Sequence, residues 1–428
     1  MKKSIIFIAT MLLLCSCQKE ETAEQQIAQL LGNNWPETVP YMTLTRNSSQ
    51  LPFVHSFSLC LGGKGLALID WGDESPIQQI ALSEVVSSWP DELIKHQYPK
   101  NGIHTITIIG ENITYLDCTG IHLTKLDVSK NPSLKELYCF NNNLMNIDVR
   151  NNVALKSLDV KGNQLSSIDV SQNIELTDLV IYDNKITNLD VSQNSELINL
   201  YCWSNLITSL DLSANPMLTN LGCWDNSIQI LDLSNNPLLV SLNCNNNVIT
   251  HLDVCSNIEL TFINCSNNRL LNLDVSKNIA LLYLDCWKNY LEELDVSYNL
   301  ELIGLDCNNN KLSHLDVRCN SALTLLNCSF NRLTNITLSD QNILNGINCC
   351  SNRLTELDLS GCTKLTGLDC RYNQILANQL NVIFQSLPTI TFGTILITYN
   401  PGTNDNILDK TIAEQKGWKF YVEPPFYL

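Results

Sequence analysis

The sequence is poor in positive charge, in catalytic motifs and in long hydrophobic runs, and each shortage excludes a class of protein. Its 26 Lys and Arg residues stand against 43 Asp and Glu, which gives a formal charge of −17 that disfavours binding to nucleic acid. It contains no GxSxG, HExxH or GxGxxG motif, so no hydrolase, metalloprotease or dinucleotide site is indicated. We therefore predict a protein without catalytic residues, metal or cofactor, although 44% hydrophobic residues can build a large core.

The hydrophobic run from Ile5 to Leu14 is too short to span a bilayer, which needs about 20 helical residues. Two lysines precede it, as in a signal peptide. It leads into Cys17 through a sequence that resembles a bacterial lipobox, so we expect residues 1–16 to be removed and the Cys17 thiol to carry lipid. The acidic start of the predicted linker, 17–39, resembles the export tag of Bacteroidetes lipoproteins. This resemblance implies a lipid-anchored protein of the outer membrane, exposed at the cell surface.

The dominant feature is a 21-residue repeat that occupies residues 111–376 without insertion or deletion. About thirteen copies begin with a pattern of the form LxxLxCxxNxL, seen clearly from Leu134, and continue with LDVSxN. Inward leucines of neighbouring copies stack and bury apolar surface that one copy could not bury alone. The pattern predicts an α/β-type repeat solenoid, a right-handed coil dominated by parallel β-strands with few helices.

Two further columns of the repeat predict buried structural side chains. Asn occupies one position in every copy from Asn142 to Asn373, where its amide can donate to and accept from backbone groups of adjacent coils. Cys occupies another position from Cys118 to Cys370 and is replaced by Val and Ile in two copies, so this position favours a small apolar side chain. We predict reduced thiols, although an oxidising compartment would favour disulfides between adjacent coils.

An Asp recurs in the LDVSxN half of almost every copy, from Asp127 to Asp358. A row of carboxylates, one per coil, could hold Ca²⁺. Each Asp could instead accept a hydrogen bond from the backbone of its own turn, and we favour this interpretation because Asp does so readily.

The repeat with its cysteine column resembles that of the internalins, surface adhesins of Listeria, and that of leucine-rich-repeat lipoproteins of Bacteroidetes. The resemblance covers the whole repeat region and implies an adhesin or another host-facing binding protein. The chain departs from the internalins in its expected anchor, which is a lipidated N-terminal Cys and not a C-terminal wall-sorting motif.

Two other segments flank the repeats. Residues 40–110 contain a WGD turn, an HQY sequence and an alternating IHTITI strand, and they resemble a PKD-type immunoglobulin-like domain with Glu74 in place of the family's Gly. This resemblance implies a small all-β module that caps the first coil. Residues 377–428 abandon the 21-residue period, and we predict a C-terminal cap with a helix, a strand over 395–399 and a second helix over 407–417.

Large aromatic residues occupy outward positions beside the Leu-x-Cys strand, where no core requires them. Such a patch usually marks a binding site, although tall side chains could merely shield the strand backbone. Trp and Tyr suit either sugar rings or protein hot spots, so the class of ligand stays open. The predicted ligand-binding residues on this concave face are Tyr138, Phe140, Tyr182, Tyr201, Trp203, Trp224, Phe262, Tyr283 and Trp287.

Two functions fit these features. The first is a non-enzymatic surface lipoprotein that binds a host or environmental protein or glycan, as an adhesin does. The second is a structural lipoprotein that joins or spaces other envelope components. In both, the partners include the membrane, through the lipid anchor, and exclude nucleic acid.

Overall fold

A computed structural model describes residues 40–49, 56–84, 93–338 and 341–422. The predicted signal peptide, the lipidated Cys17 and the linker over 17–39 lie outside the described residues. The chain forms two compact units, Met1–Lys185 and Ile186–Leu428. In the part of the chain that the structure describes, no helix is both long enough and apolar enough to cross a membrane.

The first unit begins with antiparallel β-structure that continues into the repeats. Its strands are β1 (Tyr41–Asn47), β2 (Ser56–Gly63), β3 (Gly65–Asp70), β4 (Gln78–Leu82), β5 (Ile94–Gln97), β6 (Ile103–Ile109), β7 (Ile113–Asp117) and β8 (Leu123–Asp127). One sheet has the strand order β4-β3-β6-β1-β8, and β2 pairs antiparallel with both β5 and β7. Strands β7 and β8 belong to the first coil, so the N-terminal segment pairs directly with that coil.

The core of the N-terminal segment combines aliphatic and aromatic side chains. Ile106 and Ile108, the alternating residues of β6, are fully buried, as the sequence predicts. The Tyr98 hydroxyl donates to the carbonyl oxygen of buried Trp71 over 2.9 Å. Glu74 has a φ of 65°, the left-handed conformation that usually favours Gly. Glu74 therefore adopts a backbone conformation that a Gly would adopt at no steric cost.

The repeat strands are short, parallel and in register. Within each unit, successive strands pair through residues 21 apart, and the central Leu or Ile of each strand is buried. This confirms the predicted β-solenoid. The strands are β9 (Glu136–Tyr138), β10 (Ser157–Asp159) and β11 (Asp178–Val180) in the first unit, and β12 (Asn199–Tyr201), β13 (Asn220–Gly222), β14 (Ser241–Asn243), β15 (Phe262–Asn264), β16 (Tyr283–Asp285), β17 (Gly304–Asp306), β18 (His314–Asp316), β19 (Leu325–Asn327), β20 (Asn335–Thr337), β21 (Gly346–Asn348) and β22 (Gly367–Asp369) in the second. Strands β18 and β20 form a separate two-stranded sheet in the LDV half of their coils.

The predicted Asn column forms a ladder of amides between coils. Asn268 accepts from the Ile249 backbone N–H at 3.0 Å, and its Nδ2 donates to the carbonyl oxygens of Cys244 and Cys265 at 3.0 and 3.1 Å. The other members repeat this pattern, which satisfies buried backbone groups that the turn would leave unpaired. The structural role predicted for this column is confirmed.

A second Asn column, at the end of LDVSxN, is also buried and structural. Asn257 is fully buried, and its Nδ2 donates to the carbonyl oxygens of Leu233 and Asn236, at 3.0 and 2.8 Å. Within each unit, a coil that carries both Asn residues is therefore hydrogen-bonded to its predecessor by amides at two separate corners.

The residue before the first Asn column adopts a left-handed φ in coil after coil. Asn fills this position at Asn246, Asn267 and Asn309, which have φ angles of 50° to 55°, whereas Phe330 has a φ of 53°. A bulky side chain is disfavoured in this conformation.

We therefore expect Phe330→Asn to stabilise the protein by about 1 kcal/mol, because Asn tolerates the left-handed conformation and the Phe330 ring is exposed. Urea unfolding of both proteins would measure the change. A lower unfolding midpoint for the variant would contradict the strain argument.

The cysteine column lies in the core as free thiols. All eleven members are buried, and none of the cysteines that the structure describes is paired in a disulfide. Burial raises the pKa of the Cys202 and Cys244 thiols to about 12. These thiols act as small apolar bodies in the stack.

Native alkylation with iodoacetamide at pH 8 should therefore modify exposed Cys319 quickly and the column only after unfolding, because the thiolate is the reactive form. Peptide mass spectrometry before and after adding urea would show which thiols react. Modification of the column at the rate of Cys319 would contradict the buried-thiol arrangement.

The C-terminal segment continues the solenoid. Helix α1 (Ala377–Ser386) confirms the first predicted helix, while β23 (Gly393–Leu396) begins two residues before the predicted strand. A short 3-10 helix (Pro401–Asn404), a single-turn helix α2 (Thr411–Glu414) and β24 (Trp418–Phe420) follow, so the second helix is shorter than expected. Strand β23 pairs with β22, and β24 pairs with β23. The chain thus ends its sheet with a modified coil and a closing strand.

Candidate functional site

The face of the parallel sheet that points away from the leucine core carries three columns of side chains. The columns hold the residue before each central Leu, the residue after it and the residue after the following Cys or its substitute. In the coil of β12 they hold Asn199, Tyr201 and Trp203, all half-buried. We call this surface the strand face. All nine predicted ligand-binding residues lie on it.

In the first unit, the strand face carries a lysine among aromatic rings. The Lys161 Nζ lies 4.0 Å from the centroid of the Phe140 ring and 5.5 Å from that of Tyr182. It also forms a 2.8 Å ion pair with Asp159. The ring of Tyr138 lies next to that of Tyr115, with centroids 5.5 Å apart. The aromatic residues here are half-buried because they pack on one another and on Lys161.

In the second unit, the strand face carries a stack of indoles. The rings of Trp203 and Trp224 are parallel within 10°, with centroids 3.8 Å apart. Tyr201 meets Trp203 edge-on, with centroids 5.6 Å apart. Gly222 lies beneath them, and a Cβ there would come within 2.9 Å of the Trp224 ring and 3.1 Å of the other two. The absence of a side chain at Gly222 therefore allows the three rings to pack against one another.

The remaining three predicted residues lie further along the second unit. Phe262 and Tyr283 are partners on neighbouring strands, and Trp287 follows Tyr283 in the same coil. Among the residues that the structure describes, none of these three rings contacts another aromatic ring. Tyr283 is 45% exposed, whereas Phe262 and Trp287 are half-buried. The structure therefore brings together Tyr201, Trp203 and Trp224 and leaves Tyr283 open to solvent.

The Asp side chains of the LDVSxN segment accept hydrogen bonds from the backbone of their own turns. Asp232 Oδ1 accepts from the Ser234 backbone N–H at 2.9 Å, and Asp274 does the same with Ser276. These hydrogen bonds lower the pKa of both carboxyl groups. The favoured interpretation of this column is confirmed. Within the described ranges, no three His, Cys, Asp or Glu side chains are grouped to hold a metal ion.

Two features were missed from the sequence, one on the strand face and one beside it. Asp285 and Asp306 are partners on adjacent strands of the column that follows the central Leu. Tyr372 and Tyr399 stack with centroids 4.2 Å apart, at positions with left-handed φ, and both are exposed. The Asp pair could have been found by reading this column across coils, since Asp replaces Asn there twice in succession. Tyr399 could not, because it lies outside the 21-residue period.

Burial, and secondly the charge of Asp306, raise the pKa of Asp285 to about 6. An unfolded Asp has a pKa near 3.9, so the folded state binds the extra proton between about pH 4 and 6. The Asp285 carboxylate therefore lowers stability as the pH rises through this range, and the penalty is complete at pH 7. Since the side chain is still partly exposed, solvent screening reduces the penalty to about 1 kcal/mol.

We expect Asp285→Asn to raise the Tm at pH 7 and to leave it nearly unchanged at pH 4, where Asp285 is protonated. Thermal unfolding of both proteins at the two pH values would check this. An equal change in Tm at both pH values would contradict the assignment.

The solenoid of parallel strands, the Asn ladder and the buried thiols define a leucine-rich-repeat protein with a cysteine ladder. Comparisons with protein-family models and with curated proteins found no match. Among solved structures, the functional domain of InlJ from Listeria monocytogenes, which includes a cysteine ladder, is 34% identical, with a TM-score of 0.52, over 68% of this chain and 76% of that one. The chain belongs to this internalin-type leucine-rich-repeat family.

Two more distant structures share the fold. The internalin InlF of L. monocytogenes is 20% identical, with a TM-score of 0.55, over 72% of this chain and 87% of that one. YopM, a leucine-rich effector protein from Yersinia pestis, is 22% identical, with a TM-score of 0.53, over 72% of this chain and 88% of that one. At these identities the likeness concerns the fold alone.

Proposed function

We propose that the chain is a non-enzymatic surface lipoprotein that binds a protein or glycan ligand through the strand face, in the manner of an adhesin. The observation that carries this proposal is the stack of Trp203 and Trp224 beside Tyr201 on that face. Aromatic rings of this size are seldom left on a surface that binds nothing. We call Tyr201, Trp203 and Trp224 the indole platform; such a rigid group of rings offers apolar area at a low cost in side-chain entropy.

The arrangement of the stack supports binding beyond shielding of the backbone. Trp203 and Trp224 meet at a centroid distance of 3.8 Å, so each ring holds the other in place. Gly222 is buried under the rings, and a side chain at this position would push them apart. Polar groups border the platform, since Asn220 donates to Asn199 at 2.7 Å. Rigid aromatic surface with polar neighbours suits both sugar rings and protein hot spots.

The proposal also includes the location of the protein. Cys17 would carry the lipid that anchors the chain in the outer membrane, and the PKD-like segment over 40–110 would link this anchor to the repeats. Support comes from the lipobox-like sequence at Cys17 and from the pairing of β1 with β8. The acidic chain, with a charge of −17, would depend on its acyl groups and not on basic residues for contact with a membrane.

The test measures binding of the purified chain to mucin, extracellular-matrix proteins and polysaccharides, with a double variant Trp203→Ala, Trp224→Ala beside the unaltered protein. We expect a specific ligand to lose at least tenfold in affinity for the variant, as truncation of aromatic hot spots does. The Tm of the variant would establish that its fold is intact.

A matched control removes a different aromatic pair. The double variant Tyr372→Ala, Tyr399→Ala deletes two exposed, stacked rings outside the platform. It should bind the ligand as the unaltered protein does. Equal binding by all three proteins would refute the role of the indole platform, and binding by none would favour the structural lipoprotein.

A further inference from the structure

In the first unit, the strand face already binds one cation, the ammonium group of Lys161. Lys161 occupies the column after Cys, with Asp159 two residues before it and Phe140 one coil earlier. The Asn141 backbone N–H donates to the Lys161 carbonyl oxygen at 2.9 Å, which fixes the register of the two coils. The ammonium group is therefore held by a carboxylate and by the face of an aromatic ring, two interactions that reinforce each other.

The same three positions recur in the second unit without the lysine. Asp306 corresponds to Asp159, Trp287 corresponds to Phe140, and Asn308 stands where Lys161 would be. The register is the same, because the Lys288 backbone N–H donates to the Asn308 carbonyl oxygen at 2.9 Å. The carboxylate and the aromatic ring are thus retained at this place, while the cation that they bind in the first unit is missing.

A second carboxylate adjoins this place. Asp285 pairs with Asp306 across β16 and β17, so the two Cα atoms lie about 4.8 Å apart. Asp306 accepts from Asn308 and Asn327, whereas the Asp285 carboxylate has no hydrogen bond or ion pair to any residue that the structure describes. Two adjacent like charges without a cation repel each other, and a cation placed between them would relieve that repulsion.

The other Asp residues that follow a central Leu either pair with a basic side chain of this chain or have no second carboxylate beside them. Asp369 forms an ion pair with Arg371, with Nη2 2.7 Å from Oδ2. Asp117 accepts from the Thr119 backbone N–H, and the next coil has Tyr138 in the same column. Asp285 and Asp306 are therefore the two column members whose charges adjoin and have no basic side chain two residues later.

Tyr283 completes the surface. Its ring leans over Gly304, where a Cβ would lie 2.9 Å from Tyr283 Cδ1, and the residue is 45% exposed. We call Tyr283, Asp285, Trp287 and Asp306 the acidic–aromatic face. It combines two carboxylates with two rings, the chemistry that binds an ammonium or guanidinium group on an alkyl stem.

We propose that the acidic–aromatic face docks a basic segment of a protein partner, whose lysine or arginine side chain takes the place that Lys161 takes in the first unit. This inference rests on the proposed function, in that the strand face is the binding surface. A basic protein segment is favoured over a neutral glycan because only a cation offsets the paired charges of Asp285 and Asp306. The net charge of −17 would also draw a basic partner towards the chain.

The experiment measures fluorescence anisotropy of a fluorescein-labelled peptide of alternating glycine and lysine with the full chain at about 0.15 M salt, where long-range attraction is screened. The same peptide with acetylated lysines serves as the uncharged probe. We expect the lysine peptide to bind and the acetylated peptide to lose at least tenfold in affinity. The double variant Asp285→Asn, Asp306→Asn should also lose at least tenfold.

The matched control is Asp274→Asn, Asp295→Asn, which removes the same charge from exposed carboxylates that lie eleven residues earlier in the chain. Each Asn keeps an oxygen that can accept from the backbone of its turn, as Asp274 and Asp295 do. This control should retain binding of the lysine peptide. A further variant, Asn308→Lys, would supply the missing cation from the chain itself and should block the peptide while the fold persists.

Several results would overturn the inference. These are no binding of the lysine peptide by the unaltered chain, equal binding of the acetylated peptide, an equal loss in the control variant, or unchanged binding by Asn308→Lys. The Trp203→Ala, Trp224→Ala variant separates this inference from the proposed function. Retained peptide binding by that variant, with no ligand found on the indole platform, would refute the platform and leave the acidic–aromatic face standing.

Discussion

Replacing Asn268 by Ala is expected to lower the free energy of unfolding by about 3 kcal/mol, more than a typical surface substitution changes it. The side chain is 7% exposed and links two coils. Its loss leaves the Ile249 backbone N–H without an acceptor and removes one donor each from the carbonyl oxygens of Cys244 and Cys265. Those two oxygens retain a second amide donor, so the main penalty falls on the orphaned N–H.

Urea unfolding followed by circular dichroism would measure this loss, and hydrogen exchange at Ile249 would locate it. The matched control is Asn235→Ala, whose side chain is exposed and makes one long contact, 3.4 Å, with Ser234. That change should alter stability by less than about 0.5 kcal/mol. Similar stabilities for the two variants would mean that the ladder is dispensable at this coil.

The repeat region could be predicted from the sequence because each of its columns carries one physical requirement. A buried leucine position, a small apolar position and an amide position are each filled by few residue types, and they recur every 21 residues. Because the coils stack directly on one another, residues 21 apart must pair on neighbouring strands. The pairing of Leu200 with Leu221 and of Leu242 with Ile263 could therefore be predicted from the period alone. The turn role of the Asp column followed in the same way from the preference of Asp for its own backbone.

The last coil was hidden by a change of spacing. Asn400 donates to the carbonyl oxygens of Cys370 and Ile397, and it accepts from the Ile375 backbone N–H, as the ladder Asn residues do. It follows Asn373 by 27 residues and not by 21, because helix α1 is inserted before β23. A search for the 21-residue period therefore ends one coil too early. The local pattern of apolar residues before Asn400 still indicates this last coil.

The strand face was only partly predictable, because the outward columns carry no requirement for folding. The columns of the repeat placed the large rings on this face, but they did not predict how the rings would pack. The stacking of Trp203 on Trp224 depends on Gly222, a residue whose significance lies in the contacts that it permits. The pairing of Asp285 with Asp306 became informative only beside Lys161, whose ammonium group shows what those columns can bind. Folding constrains the core positions of a repeat protein but not its outward positions, so the binding surface can vary while the core stays the same.

Replacing Trp418 by Ala is expected to cost about 3–4 kcal/mol, because it removes a large side chain that is 1% exposed and covers the end of the sheet. Its indole N–H donates to the Pro388 carbonyl oxygen at 2.9 Å, and its ring lies against Gly393 in β23. Without the ring, β24 and the apolar surface of the last coil would be open to water.

Thermal unfolding would measure the effect of Trp418→Ala, and limited proteolysis would show whether the chain opens first at this end. Trp418→Phe keeps most of the apolar volume but not the indole N–H, so it should cost about 1 kcal/mol. Phe392→Ala, which removes a nearby ring that is 50% exposed, is the matched control and should have a small effect. Cleavage that begins elsewhere in the repeats, or equal stabilities for Trp418→Ala and Phe392→Ala, would show that Trp418 does not close the solenoid.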